Sequence, residues 1–109
     1  MKTSDLYTRQ ADLIKALAHP TRIRIVELLR RGERCVCEIY ENLELEQSNV
    51  SQHLSLMKKQ GILDWRKEGL RVMYRVKYPQ VFAILDLARE MLRAEIHSTL
   101  GVLNEKTAE

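Results

Sequence analysis

Four short helical patterns, an alternating hairpin signal and one long terminal helical pattern follow one another along 109 residues. That order predicts a mainly α (α+β) fold: a winged helix-turn-helix of five helices and a two-stranded β wing, dimerised through its terminal helices. Two further observations carry the prediction. The fourth helical pattern opens on a polar run, Gln47-Ser48-Asn49-Val50-Ser51-Gln52-His53, and the hairpin that follows is basic. The length suits a single domain, 1–109, with a core of modest size.

Leu6, Leu13, Ile14, Leu17 and Ala18 recur at helical spacing and predict a first amphipathic helix over about 6–18. His19-Pro20 ends it, because a residue before proline is pushed out of the helical region, and Pro20 then suits the first turn of a second helix. Ile23, Val26 and Leu29, with Ile25 and Leu28 beside them, form its expected buried stripe, and Arg30-Arg31-Gly32 closes it. A third helix is expected from about Cys37 to Asn42, with Ile39 and Leu43 inward. After a turn at Leu43-Glu44-Leu45-Glu46, a fourth runs over about 47–60 on Val50, Leu54 and Met57. Glu46 is a poor N-cap, so Ser48 is the expected cap. Residues 62–67 and 70–77 alternate apolar and polar around Glu68-Gly69, a hairpin signal that makes the wing about 62–77.

From about 79 to 103 a single stripe carries Val81, Ile84, Leu85, Ala88, Met91, Leu92, Ile96, Leu100 and Leu103. The stripe is longer than a small domain needs, and a second copy of the chain is its natural cover. Leu85, Ala88, Leu92, Ile96 and Leu100 are the expected dimer contacts.

The net charge is only +3, yet the segment from Lys58 to Lys77 holds seven basic and two acidic residues. A basic segment on a near-neutral chain suggests a nucleic-acid footprint, with a solvated, salt-bridged surface as the bland alternative. On the fourth helix Gln47, Ser48, Asn49, Ser51 and Gln52 offer hydrogen bonds to base edges. His53 is open to two readings, contact with DNA or packing of the turn. Lys58 and the wing residues Arg66, Lys67 and Arg71 are placed for phosphates or the minor groove. Double-stranded operator DNA is the expected partner.

The two cysteines, Cys35 and Cys37, are one residue apart. In an α-helix residues two apart point about 200° from one another, whereas in extended chain they share a face. The pair therefore belongs just before or at the start of the third helix, where unpaired amides and Arg34 favour thiolates. Soft thiolates select arsenic and antimony in the trivalent state, or cadmium, mercury, zinc and copper(I). Spacing alone leaves two small buried hydrophobes as an equal reading. No run is apolar enough to span a membrane, and the first residues lack the apolar core of a signal peptide, so a cytoplasmic location is expected, with the cysteines reduced, metal-binding or redox-active rather than a structural disulfide.

Together these residues resemble the arsenical-resistance-operon repressor (ArsR/SmtB) family of bacterial metal sensors. Leu17-Ala18-His19-Pro20-Thr21-Arg22-Ile23-Arg24-Ile25 resembles its "LAxPTRLxIL" opening, and Cys35-Val36-Cys37-Glu38-Ile39 its "CVC(D/E)L" metal box. Val50-Ser51-Gln52-His53-Leu54 with Gly61-Ile62-Leu63 is similar to the recognition helix, and Gly69-Leu70-Arg71-Val72-Met73-Tyr74-Arg75 to the wing. The resemblance implies a homodimeric repressor that leaves operator DNA when an inducer binds the Cys35 and Cys37 thiolates. Trivalent arsenic or antimony is the implied inducer, with cadmium, mercury or zinc as alternatives and no organic cofactor. The departures limit it. Tyr40 stands where arsenic-responsive members carry a third cysteine, and the N-terminus has none of the cysteines of cadmium- and lead-responsive members. On the last helix Asp86 matches a zinc pattern, but Ala88 replaces its first histidine and His97 is out of step.

Two other readings stand beside this one. The same repressor could use the pair as a redox or persulfide switch, ranked lower because a disulfide across one residue closes a small ring. A small thiol redox carrier or metallochaperone would not need Arg66, Lys67 and Arg71 opposite a polar helix face. No nucleophile–base pairing is legible, so no enzyme is expected.

Overall fold

His19 and Pro20 divide the first two helices as the dipeptide requires. In the computed structural model, which describes residues 3–108 and the side chains of 5–101, α1 spans Thr3–Leu17 and α2 spans Pro20–Leu28. His19 takes extended backbone (φ −155°, ψ 133°), and its Nδ1 accepts the Thr21 N–H at 3.0 Å, capping α2. A 3₁₀ turn, Leu29–Arg31, closes α2, and Gly32 follows at φ 130°, a region that only glycine enters without strain.

The chain then forms a two-residue strand, β1 (Arg34–Cys35), α3 (Val36–Leu43), α4 (Gln47–Lys59), β2 (Leu63–Glu68), β3 (Arg71–Val76) and α5 (Gln80–Ala108). The hairpin predicted as two strands is part of a three-stranded antiparallel sheet in the order β1-β3-β2. Cys35 pairs with Met73 on one side of β3, and Trp65 pairs with Tyr74 on the other. The tight turn is Gly69-Leu70, one residue later than expected, with Gly69 at φ 62° and Glu68 opposite Arg71. The fold is five helices and a small sheet, the predicted winged helix-turn-helix.

Ile25 and Val26 of α2, Ile39 and Leu43 of α3, Val50, Leu54 and Met57 of α4, and Ile62 and Leu63 are buried together. The stripes expected on α3 and α4 are therefore the ones that hold the helix-turn-helix. Other expectations need correction. Ile23 is 36% exposed; the inward residues are Ile25 and Val26 of α2 and Leu29 of the 3₁₀ turn. Among the described residues of α1 only Ala16 and Leu17 are buried, while Leu6 and Ile14, and Ala18 just after the helix, face solvent. Ser48 does not cap α4. Glu46 occupies the N-cap with no side-chain hydrogen bond, and its carbonyl accepts the Val50 N–H at 3.1 Å.

Of the long stripe on α5, Val81 and Leu85 pack into the protomer's own core. Ala88, Leu92, Ile96 and Leu100 are exposed, as are Ile84, Leu87 and Met91. The side chain of Leu103 lies outside the described residues. An ion pair at 2.8 Å from Arg30 to Asp86 ties the end of α2 to the first half of α5, and Arg30 also stacks on Phe82.

Candidate nucleic-acid interface and cysteine pair

The polar face of α4 is held outward by its apolar one. Val50, Leu54 and Met57 are fully buried, so Gln47, Ser48, Asn49 and Gln52 are presented to solvent, with Ser51 half-buried. Because no side chain caps α4, its first-turn amides remain directed off the helix end, where an anion is favoured. His53 sits differently from the others. It is half-buried, its Nδ1 accepts the Arg22 Nε–H at 3.1 Å, and its ring lies 4.5 Å from that of His19. Burial first, then the electrostatic influence of the His19 ring and of the Arg22 guanidinium, push its pKa below the ordinary imidazole value. The same guanidinium reaches the Lys15 carbonyl at 3.4 Å, so Arg22 joins α1, α2 and α4.

Several of the basic groups of the wing are ion-paired. Arg66 binds both Glu33 and Glu68, Arg75 binds Asp64 at 2.9 Å, and Arg71 binds Glu38 at 2.9 Å. These carboxylate partners were not anticipated, since Glu33 and Glu38 lie far from the wing in sequence. Arg66 holds Glu33 below the usual carboxylate range, and Arg75 does the same to Asp64. Lys58 lies 4.6 Å from the Trp65 ring centroid, a cation–π contact that also went unforeseen. Lys67 is exposed, and among the described residues it has no ion-pair partner. All these arginines are about half exposed, so their pairs are weak in water and a phosphate can displace them.

Cys35 ends β1 in extended backbone (φ −73°, ψ 158°) and is the N-cap of α3; Cys37 stands in the first turn. This placement agrees with the spacing argument, but the pair is joined as a disulfide, with Cα atoms 5.3 Å apart, rather than held as two thiolates. The extended cap residue turns Cys35 Sγ back over the first turn, where it meets Cys37 and accepts the Glu38 N–H at 3.2 Å. Glu38 completes a capping box by accepting the Cys35 N–H at 3.4 Å, and it also receives Arg34 at 3.3 Å. The Cys35 amide first, and then Arg34, lower the Glu38 pKa. Cys35 is buried and Cys37 half-buried.

The pair opens on a cleft of about 460 Å³ between α3, α4 and the wing. Gln47, Ser51 and Ser55 of α4 form one wall, and Leu70, Arg71 and Val72 of the wing another. Three of the residues assigned to DNA contact, Gln47, Ser51 and Arg71, thus share a cavity with the cysteines. The last-turn Lys58 and the wing residue Arg66 are not among its lining. Among the described residues, no group of three or more His, Cys, Asp or Glu side chains is arranged to hold a metal ion. Reduced, the pair would supply two sulfurs, which fits a thiophilic ion needing only two protein ligands.

Residues 19–64, which hold α2, α3 and α4, match the family model described as bacterial regulatory protein, arsR family. An HTH-type transcriptional regulator of Mycobacterium tuberculosis, Rv0081, is 35% identical over 109 residues, covering 99% of this chain and 96% of its own. The chain belongs to the arsR family. In the crystal structure of Rv0081 the likeness spans 87% of this regulator and 96% of the other chain, with a TM-score of 0.78. The homodimeric winged helix-turn-helix domain Mb0332 of Mycobacterium bovis, 29% identical, superposes with a TM-score of 0.78 over 85% of this chain and 86% of that one. The arsenic resistance transcriptional regulator ArsR1 of Pseudomonas putida is 44% identical over 70 residues, 63% of this chain and 54% of its own. This arsR-family protein is accordingly a DNA-binding transcriptional regulator and not an enzyme. No described helix is long and apolar enough to cross a membrane.

Proposed function

We propose that this regulator is a homodimeric repressor whose hold on operator DNA is governed by the oxidation or ligation state of Cys35 and Cys37. The observation that carries the reading is the shared cleft: the two sulfurs border the same cavity as Gln47 and Ser51 of α4 and Arg71 of the wing. In the DNA-bound form, Gln47, Ser48, Asn49, Ser51 and Gln52 read bases from the major groove. Lys58, Arg66, Lys67 and Arg71 neutralise phosphates, exchanging their carboxylate partners for DNA. His53 acts by fixing α4 against α2.

In the first form of the reading, the reduced pair holds trivalent arsenic, antimony or another thiophilic ion, and Cys35 can then no longer cap α3 as before. Loss of that cap distorts the start of α3, and α4, which shares a core with it through Ile39, Val50 and Leu54, tilts away from its groove, so DNA is released. The arsenic-related name of ArsR1 supports this inducer class. The experiment compares release of operator DNA by arsenite, antimonite, cadmium, zinc and mercury for the wild type and for Cys35→Ser/Cys37→Ser. Full release in wild type and none in the double variant is expected; an unchanged response in the double variant would falsify the assignment.

The disulfide supports a second form, a thiol switch in which two thiols lose two hydrogens to an oxidant such as hydrogen peroxide, forming the S–S bond and two waters. Intact-mass measurement after mild peroxide separates the two forms. A loss of two hydrogens that accompanies DNA release assigns the switch.

A further inference from the structure

A second cleft, of about 630 Å³, lies between α2, β1, the end of α3 and α5. Four guanidinium groups line it, those of Arg24, Arg31, Arg34 and Arg89, against the single carboxylate of Glu27. That carboxylate is already engaged, with Arg30 at 2.9 Å and Arg89 only at 3.8 Å. Arg24 donates to the Leu43 carbonyl at 3.2 Å, and Arg34 pairs with Glu38 at 3.3 Å. Among the described residues, the Arg31 guanidinium has no hydrogen-bond or ion-pair partner. Like charges gathered round one cavity repel unless a counter-charge enters, and guanidinium forks suit carboxylate and phosphate oxygens. Beside them Ile23, 36% exposed, and Leu28 make an apolar wall. The volume is that of a small-ligand site.

We propose that this cleft binds a small anion with an apolar body, such as an aryl or acyl phosphate or carboxylate. Arg31 and Arg24 grip the anionic group, and Ile23 and Leu28 cover the body. The location gives the ligand a lever on α3. Arg24 holds the last carbonyl of that helix, and Arg34 holds its first turn through Glu38. An anion that draws either guanidinium into the cleft changes the hold on the helix that precedes α4. This site is independent of the cysteine chemistry, and it survives if the cysteine reading fails.

The test is calorimetric titration of the full-length protein with phenyl phosphate, inorganic phosphate and phenol at constant ionic strength. Saturable binding of phenyl phosphate, tighter than either fragment, is expected. Arg31→Gln should weaken it by about tenfold or more, because one charge-assisted bidentate contact is lost. Ile23→Ser should weaken phenyl phosphate and leave inorganic phosphate unchanged, whereas Arg9→Gln on α1 should alter neither. Absence of saturable binding, or equal loss in Arg9→Gln, overturns the proposal. So does an Arg31→Gln variant that loses operator DNA while phenyl phosphate binds as before, since the cleft would then be a seat for the DNA backbone.

Discussion

Arg22 donates its Nε–H to Nδ1 of His53 across 3.1 Å, joining the first turn of α2 to the middle of α4. An imidazole that accepts at Nδ1 is neutral and carries its proton on Nε2. The groups facing it, Arg22 and His19, both oppose a second proton, and burial adds to them. His53 therefore titrates lower in the folded chain than in the unfolded one. With the native state binding fewer protons, the stability contributed by the neutral ring is complete above the unfolded value of about pH 6.5 and is lost as pH falls from there through the lower folded pKa. Thermal unfolding followed between neutral pH and about pH 5 should show this decline, and His53→Gln should flatten it. An unchanged decline in the variant would place its source elsewhere.

Glu38 is the meeting point of the cysteine segment and the wing: it accepts from the Cys35 amide, from Arg34 and from Arg71. Glu38→Gln keeps an acceptor for the amide but frees both guanidiniums and removes a negative charge from beside the wing. Operator affinity should rise, and the slope of log K against log salt should steepen by about one if Arg71 gains a phosphate. Fluorescence anisotropy at several salt concentrations measures both. A weaker complex with an unaltered slope would mean that the Glu38 contacts support DNA binding rather than compete with it.

Much of the architecture was legible because it rests on local periodicity. The inward spacing of Val50, Leu54 and Met57 marks α4, and the alternation on both sides of Gly69 marks the wing. β1 escaped notice because two residues carry no period, and Cys35 became a strand residue only by pairing with Met73, far along the chain. The Arg22–His53 and Arg71–Glu38 contacts join residues more than thirty apart, and composition alone cannot pair them. On α1, Leu6 and Ile14 depart from the expected inward stripe, and on α5 only Leu85 departs from the expected dimer row, for another reason. A stripe that awaits a second copy has the same spacing as one that packs at home, so Leu6 and Leu92 read as Leu17 and Leu85 do.

Ile39 is fully buried between α2 and α4, at the centre of the helix-turn-helix. Ile39→Ala removes most of a branched side chain from that seam and should lower stability by about 2–5 kcal/mol. Denaturant titration should show an earlier midpoint with a similar slope. A loss well under 1 kcal/mol would mean that α3 closes over the gap, and the seam would then be softer than its burial implies.

Leu92 and Ile96 stand one turn apart on α5, 63% and 60% exposed, in line with Leu100 at 52%. Isolated in water this row has no packing partner, whereas a second copy of α5 would bury it in both chains by the same contacts. Substituting Leu92→Glu and Ile96→Glu together should therefore leave the protomer folded, since neither side chain belongs to its core. It should nevertheless split the dimer by placing four carboxylates in the shared seam. Sedimentation velocity should report a monomer with wild-type helical content. Operator affinity should fall by at least about a hundredfold, because a half-site held by one winged helix loses the joint contribution of the second. If the variant remains dimeric, the subunits meet elsewhere, and the exposed row on α1 around Leu6 and Ile14 becomes the surface to alter next.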